Sequence, residues 1–347
     1  MQPRIFVTED DTDWQVPLGG PGLLLDVPAE APWRQRPQIH VEATRPYLLR
    51  MAFRGQPLFW LRVDIYWDGC AVLRGPSSLE GSFPRITTDV ARRMGEPGTT
   101  AWWTQWLRWW IQCLQQPESL LLHTGRWCLR PLQTVPTVEA RSHPTMPTAQ
   151  AGERPAPPHA LDAALKHQTF WTEDWRGHGF HDLEVSSGSV LALRAPSAEN
   201  DGRVKAFRKQ ARDGTLPPVL LFYFALVGKW LVVDGHDRLH AARLENRTPP
   251  LLGLWSVFEQ PVPQDERTRA RQQGSMQAAE FRLRGRPMDV DAVNRLLVRD
   301  HESVRRFAGT RGYPLRGGGA TWRAEVAAWK KGLSATASPD DWAAFVE

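Results

Sequence analysis

Residues 229–255 read KWLVVDGHDRLHAARLENRTPPLLGLW, and their order of apolar run, glycine, polar-faced helix and proline-led run decides the fold. Trp230–Val233 is an apolar run of strand length, and Gly235 ends it and lets another backbone come close. HDRLHAARLEN, 236–246, then has helical composition, and Pro249–Pro250 marks the entrance of a further strand.

Working outward, the upstream residues continue the alternation. SVLALRA (189–195) predicts a strand, SAENDGRVKAFRKQARDG (197–214) a helix and PPVLLFYFAL (217–226) a buried strand, with Gly214 and Gly228 supplying turns. The result is a compact α/β unit of about 70 residues, within the usual range for a small domain.

Three polar groups meet at the end of the 230–234 strand. The first amides of a helix lack intrahelical partners, so the turn at Gly235 can attract phosphate oxygens. Arg238 can add a charge-assisted bond. Asp234 or Asp237 can hold Mg²⁺ or orient an attacking group, and His236 or His240 can move a proton. The same residues also have structural uses: Asp237 complements the helix dipole, Asp234 caps the turn and His240 lies on the helix surface. Arg238 can likewise pair with Asp234 as part of the fold.

WLVVDGHDRLHAARLENRTPPLLGLW and ARDGTLPPVLLFYF resemble the ParB/sulfiredoxin-like superfamily, over roughly residues 185–257. The D-G-H-D-R turn sits closest to the branch with D-G-H-H-R turns, which includes free serine kinases and proteins described as nucleases. The resemblance implies nucleotide phosphates on Gly235, His236 and Arg238, with Asp234, His236 and Asp237 as catalytic groups. It further implies ATP or ADP as cofactor and Mg²⁺ on Asp234. A sulfiredoxin-like thiol mechanism is excluded, because no cysteine follows Cys128. Centromere-type DNA binding is not expected either, since the turn has no Arg-Arg pair and no E-N-x-x-R helix follows it.

The rest of the chain divides around VPTVEARSHPTMPTAQAGERPAPPHA, a Pro- and Ala-rich stretch at 135–160 with no apolar period, read as a linker. The expected organisation is therefore α/β (α+β) with two domains: a Trp-rich N-terminal α+β domain (1–134) and, past the linker, a ParB/sulfiredoxin-like domain (161–260). An Arg-rich, mostly helical extension follows (261–347). LFWLRVDIYW (58–67) alternates as a strand half-buried on one face, and SLLLHTGRWCLRPL (119–132) reads as two short strands about a turn. TTAWWTQWLRWWIQCLQQP (99–117) is an amphipathic helix capped by Thr99 or Thr100, with Trp102, Trp106, Trp109, Trp110 and Cys113 on one stripe. That stripe suits a core, a stacking platform for bases, or a partner-binding face.

HALDAALKHQTFWTEDW (159–175) predicts a helix. His178, His181 and Asp182 in the following turn are metal-ligand types without a further ligand at suitable spacing. LRGGGATWRAEVAAW (315–329) opens with glycines but lacks the Lys-Ser/Thr of a P-loop, and reads as a joint leading to a helix. Cys70, Cys113 and Cys128 form no C-x-x-C pair, which argues against a zinc ribbon or disulfide framework and for buried apolar roles.

Charge narrows the partners. The net +5 conceals a surplus at 261–331, where 15 basic residues face 8 acidic ones, against 15 and 14 in residues 1–150. A polyanion such as DNA or RNA is one partner class for Arg203, Lys205, Arg282, Arg284 and Arg286, and a plain solvated surface is the other reading. No apolar run reaches membrane-span length, and the first residues show no signal-peptide core, so a cytoplasmic protein is expected. Two functions follow: a nucleotide-dependent phosphotransferase, phosphohydrolase or nuclease, or a non-catalytic module that keeps the fold as scaffold and binds a protein partner through its Trp-rich part.

Overall fold

The structure, a computed structural model, describes residues 5–8, 22–28, 36–64, 69–115, 121–132, 172–173, 180–184, 190–261 and 304–331, with a few isolated positions besides. Those residues form an α+β fold of two sheets and five helices. No helix among them is long and apolar enough to cross a membrane.

The larger sheet collects β1 (Ile5–Thr8), β2 (Gly22–Val27), β7 (Gly125–Pro131), β8 (Thr172–Glu173), β10 (Val190–Ala192), β11 (Val219–Phe224), β12 (Lys229–Asp234), β13 (Leu251–Pro261) and β14 (Val304–Gly309). Their order is β1-β2-β7-β13-β11-β12-β10-β8, with β14 also on β13. The smaller sheet runs β15 (Gly312–Pro314), β3 (Ile39–Thr44), β4 (Leu48–Phe53), β5 (Gln56–Asp64), β6 (Gly69–Arg74) and β9 (Phe180–Glu184). The helices are α1 (Thr88–Arg93), α2 (Thr100–Leu114), α3 (Gly202–Arg212), α4 (His236–Leu244) and α5 (Gly318–Lys330).

The main core lies between the sheets. Leu25, Trp127, Phe222 and Val233 from one sheet meet Val41, Met51, Phe59 and Val72 from the other, and the buried face of α2 joins them. Trp102, Trp106 and Trp110 are fully inside, and their rings meet neighbouring tryptophans and Phe83 edge-on. The stripe is therefore core rather than an open stacking platform, because aromatic area of this size is most stabilising when removed from water. Thr99 caps α2, its hydroxyl accepting from the Trp102 amide at 3.2 Å. All three cysteines are buried and none forms a disulfide, and burial pushes the Cys113 and Cys128 thiols up to about 12.

Each sheet has a second covered face. Leu239 of α4 joins Val219, Leu221, Trp230 and Val232 behind the larger sheet. Trp322 and Val326 of α5 join Leu48, Trp60 and Leu73 behind the smaller one. This explains why Leu58, Phe59, Trp60 and Leu61 are all buried, where the alternation predicted a strand with one wet face. A strand covered on both sides has no need of polar alternation.

The sheets do not divide at the linker. β7, from before it, pairs antiparallel with β13, from after it, Trp255 lying opposite Cys128. β6 pairs with β9 in the same way. Other local expectations change too. Residues 121–124 are not strand, so 119–132 gives one strand where two were expected. Thr172–Glu173, inside the expected helix 159–175, is strand, and the rest of that segment lies outside the described residues. His181 and Asp182 fall in β9 rather than a turn, and His178 is outside the described residues. Within the expected helical extension the chain forms β14 and β15, because β13 runs on to Pro261 and offers β14 an edge while β15 adds to β3. Arg282, Arg284 and Arg286 lie outside the described residues. The glycines before α5 form a tight helix start, with Gly317 and Gly318 at positive φ.

Candidate functional site

The turn between β12 and α4 is held from three directions. Gly235 takes φ 98°, a left-handed conformation that favours glycine, and a Cβ there would lie 2.7 Å from the Arg238 guanidinium. His236, Asp237 and Arg238 are all buried. A buried polar group is costly unless bonded, so the partners of each residue define what it can do.

His236 reaches back to the end of β10, where its Nε2 accepts from the Leu193 amide at 3.1 Å. The ring therefore carries its proton on Nδ1 when neutral. Burial, reinforced by the Arg194 charge, lowers its pKa to about 3. It stays neutral at physiological pH and has no lone pair left for general-base work.

Asp237 gathers the loop that joins β10 to α3. Its carboxylate accepts from both terminal nitrogens of Arg194 at 3.3 and 3.1 Å, from the Ser197 amide at 2.9 Å, and from Arg203 at 2.6 Å. Burial would raise its pKa, but bonds from Arg194 and Ser197 and the Arg194 and Arg203 charges outweigh it and hold it at about 2. Arg203 also donates to the Ser197 hydroxyl at 3.2 Å. A little further along, Arg208 and Arg212 of α3 pair with Glu245, so both ends of α4 are tied to α3.

Arg238 points inward. Its Nη2 donates to Asp234 Oδ2 at 2.5 Å and to the Pro218 carbonyl at 3.0 Å. The Asp234 carboxylate keeps about a quarter of its surface open, 27%. The pair joins the end of β12, the first turn of α4 and the entrance of β11, which is the structural alternative weighed for this arginine.

The site thus brings together Asp234, Gly235, His236, Asp237, Arg238 and Arg203. Lys205 is exposed on α3 and makes no contact with them in the described bonds, and His240 is only half-buried. Three partners escaped sequence reasoning: the Leu193 amide, Arg194 and Ser197. They sit 40 or more residues upstream, and LRAPS carries no motif that marks it. Arg74, at the end of β6, is a fourth; burial and the nearby Arg194 charge lower its pKa. Its charge is also felt by His236. No three His, Cys, Asp or Glu side chains among the described residues converge as a metal site, and the near neighbour of Asp234 is a guanidinium. These residues do not fit a Mg²⁺ ion.

Against protein-family models, curated proteins and solved structures alike, the chain gives no match.

Proposed function

We propose that the chain binds the phosphates of a nucleotide, such as ATP or ADP, at the β12–α4 turn without using His236 as an acid or base. The observation that carries this reading is the gathering of Arg74, Arg194, Arg203 and Arg238 about one turn where, among the described residues, Asp234 and Asp237 are the carboxylates paired with them. With His236 neutral, cations exceed anions by two in this group. Arg203, with about half its side chain exposed, is the accessible arm of the cluster. Guanidinium forks match phosphate oxygens two at a time, so Arg194 and Arg203 are the contacts, and Arg238 supports the turn from within.

The ParB/sulfiredoxin-like assignment of residues 185–257 belongs to the same proposal. It is supported by the succession β10, α3, β11, β12, α4, β13, with the glycine-led helix start in place. A cytoplasmic location stands with it as a proposal. A second reading has its own observation. The engaged Asp234–Arg238 pair and the latch on Asp237 are what a scaffold needs, and they favour a non-catalytic module that binds a protein partner.

Calorimetry with ATP, ADP and CTP separates the two. Binding that weakens about tenfold or more in Arg203→Gln supports the phosphate site. No heat with any of the three at millimolar concentration leaves the scaffold reading.

A further inference from the structure

A second set of polar groups lies on the opposite part of the larger sheet, away from the β12–α4 turn. Thr310–Arg311 is the short link by which the chain leaves β14 in one sheet and enters β15 in the other. The Ala225 amide donates to the Thr310 hydroxyl at 2.9 Å, which fixes the link against the end of β11. Beneath it is a small inner pocket of about 20 Å³, walled by apolar groups such as Ile39, Met51 and Phe222 and by His123 and Tyr313. That is room for about one water-sized group. Above it opens a cleft of about 400 Å³ lined by Val27, Val257 and Phe258, with Asp26, Arg126 and Glu259 among its polar walls. His123 and Arg311 line both spaces.

The chemistry of His123 is constrained. Its ring is buried and tilted against Trp127, with centroids 4.6 Å apart, and its Nδ1 lies 2.8 Å from the Thr124 carbonyl, so Nδ1 must be the protonated nitrogen. Nε2 is then a bare lone pair, buried, and without a hydrogen-bond partner among the described residues. An unfilled buried acceptor is costly, and the ring that carries this one lines both the inner pocket and the cleft. The pKa of His123, lowered to about 4 by burial and by Arg311, keeps the lone pair free at neutral pH. The Tyr313 hydroxyl, within reach of the Arg311 guanidinium, has no hydrogen bond of ordinary geometry.

Arg311 is the other half of the recognition. It has no carboxylate within ion-pair distance among the described residues, whereas Arg126, across the cleft, is already held by Asp26 and Glu259 at 2.9 and 2.8 Å. Among the described residues the cleft therefore offers one available cation, with two carboxylates nearby that disfavour a dianion. A monoanion that also donates one hydrogen bond meets both the Arg311 cation and the His123 lone pair.

We propose that this cleft binds a small hydroxycarboxylate, with its carboxylate on Arg311, its hydroxyl donating to Nε2 of His123 from the inner pocket, and its apolar body against Phe258 and Val257. The proposal is independent of nucleotide binding at the β12–α4 turn.

Mandelate and phenylacetate, which differ only in the hydroxyl, are the probes, titrated into the full chain at pH 7 by calorimetry and followed by tryptophan fluorescence through Trp127. Mandelate should bind about tenfold or more tightly than phenylacetate, the worth of one hydrogen bond to an otherwise unfilled buried acceptor. Arg311→Gln should weaken both ligands about tenfold or more. His123→Phe keeps a ring on Trp127 and should bring mandelate down to the level of phenylacetate. Equal binding of the two acids by the unaltered chain overturns the proposal, as does absence of binding on the order of 10 mM, a weak limit for a specific small-molecule site. The wild-type comparison decides the matter even if His123→Phe does not fold.

Discussion

His236→Gln tests the reading of the turn through its pH dependence. In the unfolded chain a histidine takes up its proton near pH 6.5, whereas folded His236 does so only at about 3. A folded pKa depressed below the unfolded one means that stability is full above pH 6.5 and falls as the pH drops toward the folded value. Over that window the unfolded state binds one proton more, so stability falls by about 1.4 kcal/mol per pH unit. Between pH 7 and pH 5 the loss from His236 is about 2 kcal/mol by this relation. His123, lowered to about 4, titrates over nearly the same window. It adds a loss of similar size, so the two together remove about 4 kcal/mol, a large share of ordinary domain stability. Glutamine can still accept from the Leu193 amide but does not titrate. Urea unfolding at pH 7 and pH 5, followed by tryptophan fluorescence, should show the wild-type loss reduced by about 2 kcal/mol in His236→Gln, with the contributions of His123 and the likewise lowered His40 remaining. An identical pH dependence in wild type and variant would refute the buried, neutral histidine and with it the account of why His236 is no proton carrier.

Arg238→Ala should lower stability by about 3 kcal/mol, the low end for breaking a buried pair, because Asp234 keeps some access to water. The double change Asp234→Ala, Arg238→Ala should cost clearly less than the sum of the single changes, and simple additivity in denaturant melts would show that the two do not support each other. Glu325→Ala should free the inner side of α5, since Glu325 accepts from Trp60 Nε1 at 3.0 Å and pairs with the buried Arg50. A loss of about 2 kcal/mol is expected, moderated by the remaining Arg50–Glu42 pair, and should appear as a lower melting temperature with faster tryptic cleavage at Lys330.

The run from Ser189 to Trp255 was legible because its signals are local. Gly235 after an apolar strand and Pro249–Pro250 before a strand each state a backbone preference within a few residues, whereas the helix expected from 197 begins only at Gly202, where Asp201 caps it. The Thr99 cap and the Trp102–Trp106–Trp110 spacing are of the same kind, and helical period alone sends those rings to one face. Pairing across long sequence distance has no such signature. Nothing near Gly125–Pro131 announces that it will lie beside Leu251–Pro261, so only the tertiary structure joined the segments on either side of the linker into common sheets. The polar sites follow the same division. The sequence by itself set Asp234, His236, Asp237 and Arg238 at a strand-to-helix turn. Whether their charges face solvent or one another depends on Arg194, Ser197 and Pro218, which folding brings from elsewhere. The cleft at His123 and Arg311 was invisible for the same reason: its two ends are 188 positions apart and meet only where β14 hands the chain from one sheet to the other.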